Sequence, residues 1–224
     1  MNVKDPNATA FLELIETTRA VRRFTGEPVT DDEVRACIGA AVHAPSGGNI
    51  QPWQFLAVTD PERRARLGDV YRRAYDRYAP AVAKMFPPPR SDEERRSRDR
   101  MLSSARHLAD HLGEAPVLVL VLAPNVAMTL ADAEGPLDVG TIHASVYPAV
   151  QNLMLAARAL GIGTTLTTVY RIHQDEVRAI CGIPDRYDIP ALVPMGRPRF
   201  PFKRGERRPI EAVTHWNRFG EKRA

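Results

Sequence analysis

The sequence predicts an α+β domain in which helices flank a small central sheet. Helical patterns recur along the whole chain and outnumber the patterns typical of strands. One uninterrupted apolar run, Val117–Leu122, is typical of a strand that is buried on both faces. A chain of 224 residues can bury roughly 70–75% of its unfolded surface in one core, so we expect residues 1–224 to form a single domain.

Helices are predicted where apolar residues return at intervals of three and four, and strands where short apolar runs lie between turn-forming residues. Thr30 and Glu33 have the spacing of a capping box at the start of the second helix. The predicted helices are 8–18, 30–43, 61–79, 91–112, 139–160 and 173–181, and the predicted strands are 53–59, 116–123 and 190–196.

Two segments interrupt this order of elements. Met85–Arg90 contains three consecutive prolines and cannot continue a helix, so it separates two charged helices. We therefore expect the region at about 60–112 to be a helical excursion from the core. Ala123–Val139 is polar and rich in turn residues, and neither segment has the composition of a domain boundary.

The net charge of +4 and the pI near 9.3 raise the possibility of a nucleic-acid partner. The basic excess lies between Glu62 and Leu112, where acidic residues are interleaved, as on a solvated helical face. No nucleic-acid-binding motif accompanies it, so no nucleic-acid partner is expected. A smaller role for this charge is to attract a phosphorylated dinucleotide.

The cysteines and histidines have no pattern typical of a metal site. Cys37 and Cys181 lie in apolar helical patterns without a CxxC motif, so we expect reduced, buried thiols. His107 and His111 are four apart, but no third ligand accompanies them in a recognisable spacing, and no metal is expected. The first residues lack a signal-peptide pattern, and no apolar run approaches ~18 residues, so we expect a cytoplasmic protein without a membrane partner.

The segment from His43 to Phe55 is the strongest candidate for a binding loop. It joins a predicted helix to a predicted strand, and Gly47 and Gly48 permit positive φ and leave no Cβ in the way of a ligand. Ser46 and Asn49 add side-chain donors, and free N–H groups in such a loop can bind an anion or a carbonyl. The alternative is an ordinary helix C-cap followed by a turn.

Three arginines within five residues follow the first predicted helix. Arg19 and Arg22 are three apart and could converge on one anion, because guanidinium groups match phosphate oxygens bidentately. The alternative is a solvated basic face.

In an ordered series of motifs, the chain resembles the FMN-dependent nitroreductase family. Arg19–Arg22 corresponds to the Arg-Ser-x-Arg-like segment of that family, with Ala20 in place of the Ser that contacts the cofactor in many members, and Pro45–Trp53 matches its Pro-Ser-x-x-Asn-x-Gln-Pro-Trp loop. The later matches are Gln151–Leu153, Gly161–Thr164, Met195–Pro198 and Arg207–Pro209. The resemblance implies a nitroreductase-like fold with a central mixed sheet, a lid-like role for the excursion at about 60–112, and bound FMN.

The resemblance also implies where FMN binds. Arg19 and Arg207 would hold its phosphate, and Arg22 would reach the N1/O2 edge of the ring. The loop residues that would contact phosphate, ribityl chain and ring are Pro45, Ser46, Gly47 and Asn49. Leu166, Thr167 and Thr168 would run along the ring, with Thr168 as the candidate donor to N5 and Thr167 as the second choice. The alternative for this Thr-rich run is a strand of high β propensity.

The predicted helix at 139–160 is apolar nearly all the way round, so it should be buried on every side. A second subunit would cover it, and the alternative is a central core helix. The resemblance implies an intertwined homodimer with FMN between the subunits. A C-terminal arm at about 210–224, with Trp216 and Phe219, would then wrap the neighbouring subunit.

The implied activity is that of an FMN-dependent NAD(P)H oxidoreductase. Flavin N5, rather than a protein side chain, would accept hydride from NADH or NADPH, and a nitroaromatic, quinone or related small acceptor would be reduced in a ping-pong reaction. One alternative is a reductive dehalogenase, which would use residues such as Tyr71, Tyr75, Tyr78 and Lys84. The others are a flavin-fragmenting enzyme, in which a Met-Gln-Pro-Trp segment replaces Ile50–Trp53, and a non-catalytic flavin-binding regulator.

Overall fold

The computed structural model describes residues 5–126 and 130–223. The helices are α1 (Pro6–Thr17), α2 (Asp31–Ala41), α3 (Pro61–Ala83), α4 (Asp92–His111), α5 (His143–Ala159), α6 (Gln174–Cys181) and α7 (Ile210–Val213). The strands are β1 (Gln54–Val58), β2 (Val117–Pro124), β3 (Leu130–Asp132), β4 (Gly135–Leu137), β5 (Gly163–Thr164) and β6 (Tyr187–Gly196). All the predicted helices and strands are therefore confirmed, while β3, β4, β5 and α7 were not predicted.

The chain falls into two compact units. Ala20–Pro201 forms one and contains the whole sheet with α2 to α6. The described parts of Met1–Arg19 and Phe202–Ala224 form the other, which contains α1 and α7. The predicted C-terminal arm at about 210–224 belongs to this second unit, where Lys222 donates to the carbonyl oxygen of Thr214 at 2.8 Å.

Strand β2 is buried on both faces, as the apolar run predicts. Its odd-numbered residues, such as Val119, pack into one core with α2 and α5, and its even-numbered residues, such as Leu120, pack into a second core with α3, α4 and α6. Successive side chains of a strand point to opposite faces, so one run of valines and leucines supplies both cores. The sheet is thus the middle of three layers.

In the part of the chain that the structure describes, the main sheet is antiparallel and not mixed as expected. The four strands of the main sheet have the order β1-β2-β6-β5, and each of its ladders is antiparallel. Two helices, α3 and α4, lie between β1 and β2 in the chain. The second helix of a pair returns the chain to the end of the sheet at which β1 finishes. β2 starts from that end and therefore runs antiparallel to β1.

The capping box predicted at α2 is present. Thr30 accepts a hydrogen bond from the N–H of Glu33 at 3.3 Å, and Glu33 accepts one from the N–H of Thr30 at 2.9 Å. Arg197, at the end of β6, donates to the same carboxylate at 2.6 Å. The start of α2 is therefore fixed both locally and to the sheet.

The helical excursion at 60–112 has a packed base and an exposed tip. At the base, a Cβ on Gly68 would lie 2.8 Å from the backbone nitrogen of Gly113, so α3 approaches this turn without room for a side chain. Arg64 donates to the carbonyl oxygen of Ala115 at 2.6 Å. At the tip, Met85 is 80% exposed. Whether this tip closes over a substrate stays a prediction.

Helix α5 is buried on only one side within the chain. Val146, Ala149, Val150, Leu153 and Ala157 are buried. Tyr147 and Leu160 are exposed, although the sequence pattern predicts burial all round. A single chain therefore leaves part of this apolar helix uncovered.

Both cysteines are free, but they differ in burial. Cys37 is fully buried, and this burial raises the pKa of its thiol to about 11. Cys181 is only half-buried, which corrects the expectation of two buried thiols, because it lies in the last turn of α6 beside a surface groove. Among residues 5–126 and 130–223, no helix is long and apolar enough to cross a membrane.

We predict that the capping box stabilises the fold in a pH-dependent way. Thr30→Ala should lower the free energy of unfolding by about 1 kcal/mol. The hydrogen bond from the Thr30 backbone, followed by that from Arg197, lowers the pKa of Glu33 from 4.5. The stabilisation by Glu33 is therefore present above the unfolded-state pKa and is lost as the pH falls through the folded-state value.

Urea unfolding of the wild type and Glu33→Gln should show a stability difference that shrinks on acidification. Glu27→Gln, on the exposed surface before α2, is the control for loss of a carboxylate. A difference that stays constant from about pH 7 to pH 3 would contradict the assignment.

Candidate functional site

The loop between α2 and β1 has an unusual backbone. Gly48, Asn49 and Gln51 have φ values of 57°, 55° and 45°, all in the left-handed region. That region costs about 1–2 kcal/mol for ordinary L-residues, and Asn tolerates it better than most because its side chain bonds locally. Only a loop held in place by its surroundings keeps two such non-glycine residues so close together.

Hydrogen bonds within the loop hold it in this shape. The Ser46 hydroxyl accepts from the N–H of Gln51 at 3.1 Å, and the Asn49 side-chain oxygen accepts from the Gln51 amide at 3.2 Å. The backbone N–H groups of Asn49 and Ile50 donate to the carbonyl oxygens of Ser46 and Gly47. Much of the expected free N–H cluster is therefore used inside the loop, and the loop offers mainly side-chain donors.

Two side chains of this loop stay available to a ligand. Ser46 accepts one hydrogen bond through its oxygen, which leaves its O–H free to donate. Asn49 uses its side-chain oxygen on Gln51, which leaves its NH₂ group to donate. Pro45, Gly47 and Asn49 are exposed and Ser46 is half-buried, so all of the sequence-predicted loop residues can be reached.

The loop is anchored on both sides by residues of the core. Ser145, in the first turn of α5, accepts the N–H of Gly47 at 3.1 Å. Trp53 is 5% exposed and belongs to the same core as Ala44 and Val146, so it anchors the loop. Ser145 is 98 residues from Gly47 in the chain, and no sequence spacing could have identified it.

Arg22 lies beside the short strand β5. The N–H of Val21 donates to the carbonyl oxygen of Thr164 at 2.8 Å, which places Arg22 next to this strand. Burial raises the pKa of Tyr71, whereas the hydrogen bond to Thr167 and the positive charge of Arg22 act in the opposite direction. Arg22 therefore contributes a positive field around Tyr71.

The segment that follows β5 alternates between buried and exposed residues. Thr165 and Thr167 are buried, whereas Leu166 and Thr168 are exposed. Thr167 donates its N–H to the carbonyl oxygen of Leu192 at 3.0 Å, and its hydroxyl lies 2.8 Å from that of Tyr71. The N–H and the hydroxyl of Thr167 are thus both hydrogen-bonded within the chain, so Thr168 is the better candidate ligand of the two.

Arg19 and Arg207 belong to the unit that contains both chain ends, and both are exposed. Arg207 donates to the carbonyl oxygen of Glu206 at 2.9 Å. Within this unit, Arg204 pairs with Glu16 at 2.6 Å. The joint role of Arg19 and Arg207 stays a prediction.

Within Ala20–Pro201, the candidate residues form two groups. Arg22, Leu166 and Thr168 lie beside or after β5, and the loop residues precede β1. β5 and β1 are the two edge strands of the sheet, with β6 and β2 between them. Three strand spacings of about 4.8 Å put these edges roughly 14 Å apart.

A small cleft of about 100 Å³ lies on the side of Arg22 that faces α4, where His107 and His111 contribute to its wall. Arg23 donates to Nδ1 of His107 at 3.1 Å. Burial, followed by the charge of Arg23, lowers the pKa of His107, which favours its neutral form. In the described parts of the chain, no three His, Cys, Asp or Glu side chains are arranged to hold a metal ion.

Residues 15–197 match the family model of the Nitroreductase family. The chain belongs to the Nitroreductase family. The match covers both groups of candidate residues in the Ala20–Pro201 unit, and it confirms the family that the motifs suggest.

Relatives of this nitroreductase-family chain have different activities. It is 32% identical over 199 residues to a 5,6-dimethylbenzimidazole synthase from Rhodospirillum rubrum, with 87% of this chain and 85% of that protein covered. It is 28% identical over 201 residues to an NADH dehydrogenase from Thermus thermophilus, with 88% and 91% covered. A solved structure of oxidized iodotyrosine deiodinase bound to FMN and 3-iodo-L-tyrosine has a TM-score of 0.71 at 25% identity, with 93% and 100% covered.

We predict that glycine is better tolerated than alanine at position 49. Asn49→Ala and Asn49→Gly both remove the bond to Gln51, but only glycine adopts a φ of 55° without strain. Asn49→Ala should therefore be less stable than Asn49→Gly by about 1 kcal/mol in urea unfolding.

The matched control is Arg35, an exposed residue within α2. There the order should reverse, because glycine is about 1 kcal/mol less favourable than alanine in a helix. Equal stability of Asn49→Ala and Asn49→Gly would mean that residue 49 is not held in the left-handed region.

Proposed function

We propose that the chain is an FMN-dependent NAD(P)H oxidoreductase that reduces nitroaromatic, quinone or related small acceptors. The observation that carries this proposal is the left-handed loop, which presents the Ser46 hydroxyl and the Asn49 amide in a member of the Nitroreductase family. The solved iodotyrosine deiodinase with a similar fold contains FMN, which supports FMN as the cofactor here.

The residues present suit FMN. A flavin needs positive partners for its phosphate and hydrogen-bond donors for its ribityl chain and ring edge. A Cβ on Gly47 would meet only the Ser145 hydroxyl, at 3.8 Å, so the outer side of the loop is open to a ligand. The donors of Ser46 and Asn49 complement flavin acceptors, and Arg22 supplies a positive charge.

We assign the ligand roles as follows. Arg19 and Arg207 bind the phosphate, because guanidinium groups bind phosphate oxygens through charge-assisted hydrogen bonds. Arg22 faces the N1/O2 edge, where its charge favours added electron density. The remaining contacts come from Pro45, Ser46, Gly47, Asn49, Leu166 and Thr168, with Thr167 holding the last two in place.

FMN, when bound, supplies the redox chemistry: it takes a hydride from NADH or NADPH and reduces the second substrate. The protein's own contribution is to hold the ring and to leave one face open. Thr168 is exposed at the end of its segment, and in this proposal its N–H or hydroxyl would donate a hydrogen bond to N5.

We also propose a homodimer with FMN between the subunits. The loop group precedes one edge strand and the Arg22 group adjoins the other, and these strands are roughly 14 Å apart, which favours one group from each subunit. Helix α5 leaves Tyr147 and Leu160 exposed although it is apolar nearly all round, as expected of a helix that a partner covers.

A second candidate is a flavin-fragmenting enzyme, favoured by the 32% identity to a 5,6-dimethylbenzimidazole synthase. The reductive dehalogenase has less support from the lid. Tyr71 and Tyr75 are buried, which leaves only Tyr78 and Lys84 of the four lid residues exposed.

The function is tested by purifying the full chain, adding FMN and recording its visible spectrum. We expect a bound flavin that bleaches with NADH or NADPH without oxygen and recovers when a nitroaromatic or quinone is added. Sedimentation velocity of the same sample should give a particle of about twice 24.9 kDa.

The other outcomes separate the alternatives. Loss of the flavin with release of a benzimidazole would favour the fragmenting enzyme. Bound flavin that neither nicotinamide reduces would favour the regulator. A chain that binds no FMN, or a monomer that binds it fully, would exclude the site between subunits.

We predict that the double variant Arg19→Ala/Arg207→Ala binds FMN at least about a hundredfold more weakly, because each charge-assisted bond contributes about 1.5–3 kcal/mol. Arg35→Ala/Arg66→Ala removes two exposed arginines from α2 and α3 and is the matched control. Fluorescence titration of FMN gives both affinities. Wild-type affinity in the first variant would show that the phosphate assignment is wrong.

A further inference from the structure

A buried hydrogen bond joins α3 to the segment that follows β5. Tyr71 is 3% exposed and Thr167 is 9% exposed, and their hydroxyl oxygens lie 2.8 Å apart. The Thr167 hydroxyl also accepts the N–H of Val169 at 3.5 Å. Loss of the Thr167 hydroxyl would leave that of Tyr71 buried without this partner, which costs more than loss of an exposed bond. The two residues are 96 apart in the chain, so the bond joins distant parts of the fold.

Backbone pairing with β6 turns Thr167 inward, and the bond to Tyr71 holds its side chain there. The N–H of Thr167 donates to the carbonyl oxygen of Leu192 at 3.0 Å, and its own carbonyl oxygen accepts the N–H of Leu192 at 3.1 Å. The backbone is thus paired with β6, while the side chain is turned inward to Tyr71. Leu166 and Thr168, on either side of the inward-facing Thr167, are exposed.

The positive charge of Arg22 also acts on the Tyr71 hydroxyl, where it opposes the rise in pKa that burial causes. The N–H of Val21, the neighbour of Arg22, donates to Thr164 of β5. Tyr71 is therefore bonded to the residue before Thr168 and experiences the charge of Arg22, the two groups that we assign to N5 and to the N1/O2 edge.

We propose that Tyr71 is a positioning residue that, through its hydroxyl bond to Thr167, sets the reduction potential of the bound flavin. This inference rests on the proposed function, because it takes Thr168 and Arg22 as the partners of the ring. Tyr71 does not touch the flavin. It acts by fixing the orientation of Thr168. A hydrogen-bond donor at N5 stabilises one oxidation state of the flavin more than the other.

The test compares the FMN-loaded full chain with its Tyr71→Phe variant. The midpoint potential is measured by stepwise chemical reduction with dithionite, so the readout does not depend on NAD(P)H. Loss of one hydrogen bond should change the relative affinity for oxidised and reduced FMN about threefold to tenfold. For a two-electron couple, this is a shift of about 15–30 mV.

Tyr75→Phe is the matched control. Tyr75 lies one turn later in α3, is 5% exposed and experiences the charge of Arg22, but its ring lies 5.8 Å from the Arg106 guanidinium carbon. Its variant should keep the wild-type potential. Thr167→Val should shift the potential in the same direction as Tyr71→Phe, and the double variant should add little to either.

The double variant also separates positioning from stability. Tyr71→Phe/Thr167→Val replaces both hydroxyl partners by apolar groups, so neither hydroxyl is left buried alone, and the loss is limited to the long 3.5 Å bond from the N–H of Val169 to Thr167. A shifted potential at near wild-type melting temperature would support the proposal. A lower melting temperature with an unchanged potential in Tyr71→Phe would overturn it and leave a purely structural bond.

Failure of the inference differs from failure of the proposed function. Wild-type FMN that dithionite reduces but NAD(P)H does not would overturn the function, and the potentials of the variants would still decide the role of Tyr71. Reduction by NAD(P)H with equal potentials in all variants would overturn the inference alone. A chain that binds no flavin would overturn both.

Discussion

Burial of β2 on both faces is the constraint on which the rest of the structure depends. Its odd-numbered residues form one core with α2 and α5, and its even-numbered residues form another with α3, α4 and α6. Because both faces of the strand are apolar, both must be covered by helices. The loop that follows α2 and the segment that leads into α6 are brought to the sheet by this requirement. The candidate site is thus attached to the two layers of helices that β2 holds together.

The candidate site consists of a loop and a strand segment, each of which is held in place by hydrogen bonds. In the loop, Gln51 donates hydrogen bonds to the side-chain oxygens of Ser46 and Asn49. The O–H of Ser46 and the NH₂ group of Asn49 remain as donors for a ligand. In the segment, Thr167 faces inward and leaves Thr168 exposed. In both cases an inward hydrogen bond determines what is left for a ligand. Such preorganisation matters for a flavin enzyme, because the protein contributes position and electrostatics to the cofactor's chemistry.

The sequence predicts the features that depend on neighbouring residues. The capping box of Thr30 and Glu33, the apolar run of β2 and the proline break after α3 all have local causes. The antiparallel direction of the strands depends instead on how pairs of helices return the chain. The two-residue strand β5 is too short for any periodicity to show.

Some residues of the candidate site could likewise be identified from the local sequence, whereas others could be identified only from the fold. The loop motif was recognisable from contiguous residues, including its glycines and Asn49. Ser145 and Tyr71 were not identified as supports, because each acts on a residue about a hundred positions away. The choice between Thr167 and Thr168 also needed the fold, since β propensity is equal for two threonines and only pairing with Leu192 shows which one faces inward.

The helical excursion leaves the sheet and returns to it at almost the same place. Val58 is the last residue of β1 and pairs with Leu118, near the start of β2. The close contact of Gly68 with Gly113 packs the base of the excursion tightly. The tip around Met85 contributes little burial. Insertions and deletions at the tip therefore cost mainly loop entropy, which grows slowly with length. The excursion can therefore change in length at its tip without disturbing the layered core.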